Sequence, residues 1–172
     1  MPDPKDDVKA AVAGLHDTDE DDLYRLLALR MKTIERDPSV AGQFAPSTVA
    51  ASELGIAVPD LLALGRKAFQ AIARSGQAII CGTDSDAGFH LQRILSSVNM
   101  DITTVTAGVA TLLIGQLAIA PAVAGIVASI VVGKVAPTSV EALCKAWSAK
   151  LGPVPVPGTA TPEPTTAPPA PA

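Results

Sequence analysis

Apolar residues recur every three or four positions along much of the chain, which is the spacing of one face of an α-helix. Polar and charged residues fill the positions between them, and Gly, Pro and capping residues separate one such segment from the next. The pattern predicts amphipathic helices over about 4–15, 19–36, 59–81, 86–98 and 138–151, and a short helix over 47–54. We therefore expect an all-α protein.

Two of the predicted helices start at recognisable capping residues. Thr18 is a fitting N-cap, and the acidic run of residues 19–22 that follows it suits the positive end of the helix dipole. Thr138 and Glu141 have the spacing of a capping box. These signals predict that the second helix starts just after Thr18 and the last helix just after Thr138.

The central part of the chain has no polar helix face. Residues 102–133 include no Asp, Glu, Lys, Arg or His, and Pro121 divides this run into parts of about 18 and 14 residues. A proline inside a helix removes a hydrogen bond and clashes with the preceding turn, so we expect a kink or reversal at Pro121. The sequence predicts a Gly/Ala-rich apolar helical hairpin over about 102–135, with Pro121 at its turn.

Small residues recur at four-residue intervals in this predicted hairpin. Such spacing lines one helix face and lets two backbones approach closely. Gly125, Ser129 and Gly133 have this spacing, as do Ala107, Thr111 and Gly115. Among the small residues of the hairpin, we interpret the following as positions for helix packing or self-association: Gly108, Gly115, Gly125, Ser129 and Gly133.

An apolar hairpin must be surrounded by protein or by lipid. In a membrane, arms of about 18 and 14 residues are short for a span of about 20, and no aromatic residue lies between Phe89 and Trp147 to anchor the ends. In a soluble bundle, the amphipathic helices supply enough apolar faces to enclose it. A third arrangement joins the two, and its architecture resembles by analogy that of colicin-type pore-forming toxins, which release a buried hairpin into a bilayer.

Composition narrows the function classes. The chain has 172 residues, 48% of them hydrophobic, a net charge of −4 and five aromatic residues. It shows no basic patch of the kind that nucleic-acid binding requires, so we expect no nucleic-acid partner. The N-terminal residues have neither the basic nor the apolar region of a secretory signal, which predicts a cytoplasmic or a peripheral inner-membrane location.

The two cysteines, Cys81 and Cys144, are far apart and have no metal-binding spacing. We expect free, mostly buried thiols in a reducing compartment.

One segment resembles a chemical site. Cys81 and His90 could form a nucleophile–base pair, and Asp84 and Asp86 resemble the start of a calcium loop. The segment has neither an oxyanion-hole signature nor the later acidic ligands, and a helix stop at Gly82 followed by capping residues explains it better. We therefore expect no catalytic residue, no cofactor, no metal and no small-molecule substrate.

These observations together predict one domain over 1–152, a bundle of about six to seven helices around the apolar hairpin. Eight of the last twenty residues are proline, which predicts a disordered tail over 153–172. Our first functional hypothesis is a non-enzymatic helical protein that acts through the hairpin, by membrane association or insertion or by self-association, as a toxin or effector does. The alternative is a soluble adaptor that binds a protein partner and buries the hairpin as core.

Overall fold

A computed structural model of the chain describes residues 4–46, 49–82, 86–96, 101–134 and 137–151. In these ranges the chain is helical and has no strands, so the predicted all-α class is confirmed, and seven α-helices lie within the predicted number. Their bounds are α1 (Pro4–Ala13), α2 (Glu20–Arg36), α3 (Val58–Ile80), α4 (Asp86–Leu95), α5 (Ile102–Leu117), α6 (Pro121–Val132) and α7 (Val140–Leu151), with a 3-10 turn at Pro38–Val40.

The core of the bundle is built on α6. Every residue of this helix from Ala122 to Val132 is buried, and α1, α2, α3, α5 and α7 all pack against it. Its side chains include one hydroxyl, that of Ser129, which donates a hydrogen bond of 2.8 Å to the carbonyl of Gly125. The helix therefore leaves no side-chain hydroxyl unsatisfied and presents only apolar surface to its neighbours.

The uncharged run is divided between α5 and α6, which pack on each other. α5 begins at an N-cap, Asp101, whose carboxylate accepts a hydrogen bond of 2.6 Å from the amide of Thr104. It ends at Ala118, which has a positive φ of 52° and donates its amide to the carbonyl of Ile114. A left-handed residue is a common way to end a helix, and Pro121 then starts α6, where a missing amide proton costs nothing.

Two glycines let α3 approach its neighbours closely. A Cβ at Gly65 would lie 1.8 Å from the carbonyl oxygen of Tyr24 on α2, and a Cβ at Gly76 would lie 3.0 Å from the indole of Trp147 on α7. Trp147 is fully buried. The helix runs without a break through Gly76, because tight packing against α7 outweighs the low helix propensity of glycine.

The prediction of a short helix over 47–54 is wrong for its described part. Residues 51–55 form a turn, and the amide of Val49 donates to the hydroxyl of Thr33 on α2 instead of entering a helix. One turn of hydrogen bonds does not offset the cost of helix nucleation, and Gly55, with φ of 66°, closes the segment. Residues 47 and 48 lie outside the described residues.

Both predicted capping sites are displaced by one residue. Asp19, not Thr18, is the N-cap of α2. Ser139, not Thr138, accepts the amide of Ala142 in the first turn of α7, at 3.1 Å. When two neighbouring residues are both of capping type, the sequence does not tell which of them is the N-cap. The N-cap is the last residue with non-helical backbone dihedral angles before the helix, and its position differs easily by one residue.

The prediction of two free thiols is wrong, because Cys81 and Cys144 form a disulfide. Cys81 lies at the C-terminal end of α3 and Cys144 lies on α7, and the packing of Trp147 at Gly76 brings these two helices together. The bond links residues 63 apart in the sequence, and a loop of that length stabilises a fold by roughly 4 kcal/mol in chain entropy.

The contact at Gly65 gives a direct test of the packing of α2 on α3. We expect Gly65→Ala to lower the free energy of unfolding by about 3 kcal/mol, at the upper end for overpacking, because the added methyl meets backbone rather than a movable side chain. Gly14→Ala is the matched control, since a Cβ there has no atom within 4 Å, and it should change stability by less than about 0.5 kcal/mol. Urea denaturation measures both, and equal stabilities would contradict the close approach.

Candidate protein-docking groove

An open groove lies between α2 and α3 and encloses about 800 Å³. Its floor is formed by the link between α5 and α6 and by the first turn of α6. Its walls are residues spaced about one turn apart on α2 and α3. The apolar lining residues define what we call the docking groove: Ala28, Met31, Ile34, Leu64, Ala68, Ala71, Ile72, Ile119, Ala120 and Val123.

The docking groove exposes large apolar side chains that the rest of the bundle does not cover. Met31 is 36% exposed and Leu64 is 39% exposed. On α3 the lining residues extend from Leu64 to Ile72, which is about 12 Å of helix at 1.5 Å per residue. The groove is thus about two helical turns long and is lined mainly by apolar surface.

Charges stand at the rim of the docking groove. Lys32 and Glu35 form an ion pair of 2.7 Å on the α2 side. Lys67 is exposed on the α3 side, and within the described ranges it makes no salt bridge. The rim therefore offers one uncompensated positive charge beside an apolar trough.

The shape of the groove follows from the packing below it. Gly65 brings α2 and α3 into contact near Tyr24, whose ring meets that of Phe69 edge to face at 5.4 Å. Both rings are buried. Ile119, Ala120 and Val123 line the groove together with residues of the two helices and form its floor.

Arg30, on α2, is buried, and no carboxylate of the described residues pairs with it. Its guanidinium donates to the carbonyl of Ala122 at 3.0 Å and to that of Phe44 at 3.5 Å, while its Nε is buried and has no hydrogen-bond partner in the described ranges. Burial lowers the pKa of this side chain. Arg30 ties residues of the 41–46 segment to the first turn of α6 but does not line the docking groove.

The predicted packing residues on α5 have different surroundings. Gly108 is half-buried, and a Cβ there would lie 2.9 Å from the side chain of Ile94 on α4. Gly115 is exposed, and a Cβ added there would meet no atom of the described residues within 4 Å. The structure therefore places Gly108 at a helix contact and Gly115 at open surface.

The predicted residues on α6 lie inside the bundle or at its end. Gly125 is buried, and a Cβ there would lie 3.5 Å from Val12 on α1. Ser129 is buried and bonded to the carbonyl of Gly125. Gly133 follows α6 with φ of 72°, and Pro121, predicted at the turn, is the first residue of α6. These residues do not form one surface.

Sequence reasoning missed the docking groove. The three- and four-residue spacing of apolar residues along α2 predicts that Met31 is buried, although it is 36% exposed, and the pattern does not distinguish Leu64 or Lys67. The α3 residues that are buried follow a different arc, with Leu61, Gly65, Phe69, Ala73, Gly76 and Ile80 on it. The sequence signal that could have revealed the groove is the wide apolar arc of α3, which one neighbouring helix cannot cover.

A second, smaller cavity of about 90 Å³ lies beside the α1–α2 loop, next to His16, Lys134 and Lys150. The ammonium of Lys134 donates to the carbonyls of His16 and Thr18. His16 Nε2 is buried and has no hydrogen-bond partner in the part of the chain that the structure describes. Burial, and secondarily the charge of Lys134, lower the pKa of His16 below its usual 6.5.

Comparisons with models of protein families, with curated proteins and with solved structures find no match to this chain.

Among the described residues, no helix has both the length and the apolar character that a membrane crossing requires. In the same residues, no group of three or more His, Cys, Asp or Glu is arranged to hold a metal ion. Asp84 of the segment that resembles a calcium loop lies outside the described residues, and Cys81 is in the disulfide.

The lowered pKa of His16 predicts a pH dependence of stability. Between the folded pKa and about 6.5 the unfolded chain binds more protons, so the free energy of unfolding should fall as the pH drops below 6.5. His16→Gln should remove this part of the slope, whereas His90→Gln should leave it in place because His16 is still present. Urea denaturation between pH 5 and 8 measures the slopes, and identical slopes in both variants would contradict the assignment.

Proposed function

We propose that this chain is a non-enzymatic helical interaction module whose docking groove binds an amphipathic helix of a partner protein. The observation that carries the proposal is an apolar trough between two exposed helix faces, with Met31 and Leu64 uncovered. Grooves of this type bind a helix through apolar residues at positions i, i+3 or i+4, and i+7. A groove about two helical turns long matches an apolar stripe from i to i+7, which also extends over about two turns of helix.

The rim charge selects the chemistry of the partner helix. Lys67 has an ammonium group beside the trough, while Lys32 is already paired with Glu35. A partner helix with Glu or Asp beside its apolar stripe complements Lys67 and gains in association rate and orientation. We therefore assign to the groove an acidic amphipathic helix rather than a basic one.

The apolar α5–α6 pair is, in this proposal, the structural hairpin of the module. Its support is the burial of α6 among five helices, which removes its apolar side chains from water without a bilayer. The Pro-rich residues 153–172, which lie outside the described residues, then serve as a solubilising tail or tether. Membrane association and self-association through α5 are the competing functions that the experiments below separate.

A displayed library of amphipathic helices tests the docking proposal. Half of the library has Glu beside the apolar stripe and half has Lys at the same positions. We expect selection on the purified protein to enrich the Glu helices.

Leu64→Glu should weaken their binding at least tenfold, equivalent to about 1.4 kcal/mol, because it places a charge in the trough. The control Ser75→Glu puts the same side chain at an exposed position of α3 outside the groove, eight residues from Lys67, and it should leave binding unchanged.

The docking proposal would be overturned if neither half of the library were enriched, or if the selected helices still bound after Leu64→Glu. Flotation with anionic phospholipid vesicles is run in parallel. Protein that floats equally well with and without Leu64→Glu would support the membrane function instead. A dimer in sedimentation analysis that Gly115→Leu abolishes would support self-association.

The charge of Lys67 gives a separate prediction on salt dependence. Lys67→Gln should weaken binding of a selected acidic helix a few-fold at low ionic strength, and by less than twofold at 0.5 M salt, because exposed charges are screened there. Lys9→Gln, on α1 away from the groove, is the control. Isothermal titration at the two salt concentrations makes the comparison, and an equal loss at both would rule out a charge effect.

A further inference from the structure

The Cys81–Cys144 disulfide lies at the protein surface. Both cysteines are half-buried rather than enclosed, and they line an open groove of about 500 Å³ together with Phe89, Gln92 and Glu141. Phe89 is 63% exposed. The two cysteine residues thus border a groove that solvent and small solutes can enter.

The two helices that the disulfide joins are also held together without it. Trp147 is buried against Gly76, one turn along each helix from the cysteines. Gln77 donates to the hydroxyl of Ser148 at 2.6 Å, and Leu143 is fully buried. None of these contacts is made by a sulfur atom, so the packing of α7 on α3 does not depend on the bond alone.

We propose that Cys81–Cys144 is a thiol-exchange site, which a dithiol reductant reduces while the bundle stays folded. In the first step a thiolate of the dithiol attacks one sulfur, forms a mixed disulfide with it and releases the other cysteine as a thiolate. The second thiol of the reductant then closes its own disulfide and releases the first cysteine. Two electrons pass to the cysteine pair, and the dithiol is oxidised.

The first test measures the rate of reduction by dithiothreitol in increasing urea, all below the unfolding transition. If the groove gives direct access, the rate is independent of urea, and the near-ultraviolet circular dichroism of Trp147 stays native as the thiols appear. If the bond is reached only by unfolding, the rate rises with urea as steeply as the unfolding equilibrium does. That second result would overturn the proposal.

A charge variant tests whether attack occurs through this groove. The carboxylate of Glu141 lines it and repels an incoming thiolate, so Glu141→Gln should raise the reduction rate by up to about fivefold at low ionic strength, and much less at 0.5 M salt. Glu53→Gln removes an exposed carboxylate outside the groove and should leave the rate unchanged. Equal rates for wild type and Glu141→Gln at low salt would contradict attack from this side.

This inference is independent of the docking groove. The lining residues of that groove on α3 end at Ile72, about 13 Å of helix before Cys81. Binding of an acidic helix to the reduced and to the oxidised protein can therefore be measured separately. Failure of either proposal leaves the other intact.

Discussion

The fold depends on one constraint, which is that α6 has no polar face and must be surrounded. Five helices pack on it, and the amphipathic ones among them do so with an apolar stripe, such as Val8 and Val12 on α1. Alanine and glycine make up several positions of α6, so its neighbours can come close to its backbone. The rest of the bundle is arranged by this requirement, because a stripe that does not reach α6 must find another partner or remain exposed.

The docking groove is a consequence of that arrangement. α2 contacts both α3 and α6, and near Gly65 the backbones of α2 and α3 touch. Toward the C-terminal part of α2, Ile119, Ala120 and Val123 line the groove together with residues of α2 and α3. No further element of the described chain covers Met31 and Leu64, which are exposed.

The sequence predicted the helices well and the surfaces poorly, and the reason is the same in both cases. Periodicity identifies the apolar arc of each helix, and the uncharged run of residues 102–133 identifies the part of the chain that has to be buried. Periodicity does not say which part of a wide arc is covered. On α3 the covered arc includes Gly65, Ala73 and Gly76, which a hydrophobicity pattern ranks below Leu64 and Ile72, because backbone proximity rather than side-chain size selects them.

The cysteine pair illustrates a limit of another kind. No local pattern relates two residues 63 positions apart. They come together where α7 packs on α3, through the contact of Trp147 with Gly76 and the hydrogen bond from Gln77 to Ser148. Glycine at position 76 lets the indole of Trp147 and the side chain of Leu113 lie close to the α3 backbone, and Cys144 lies one turn before Trp147 on α7. Chemistry at the surface of this bundle is therefore set by packing in its interior, as it is at the docking groove.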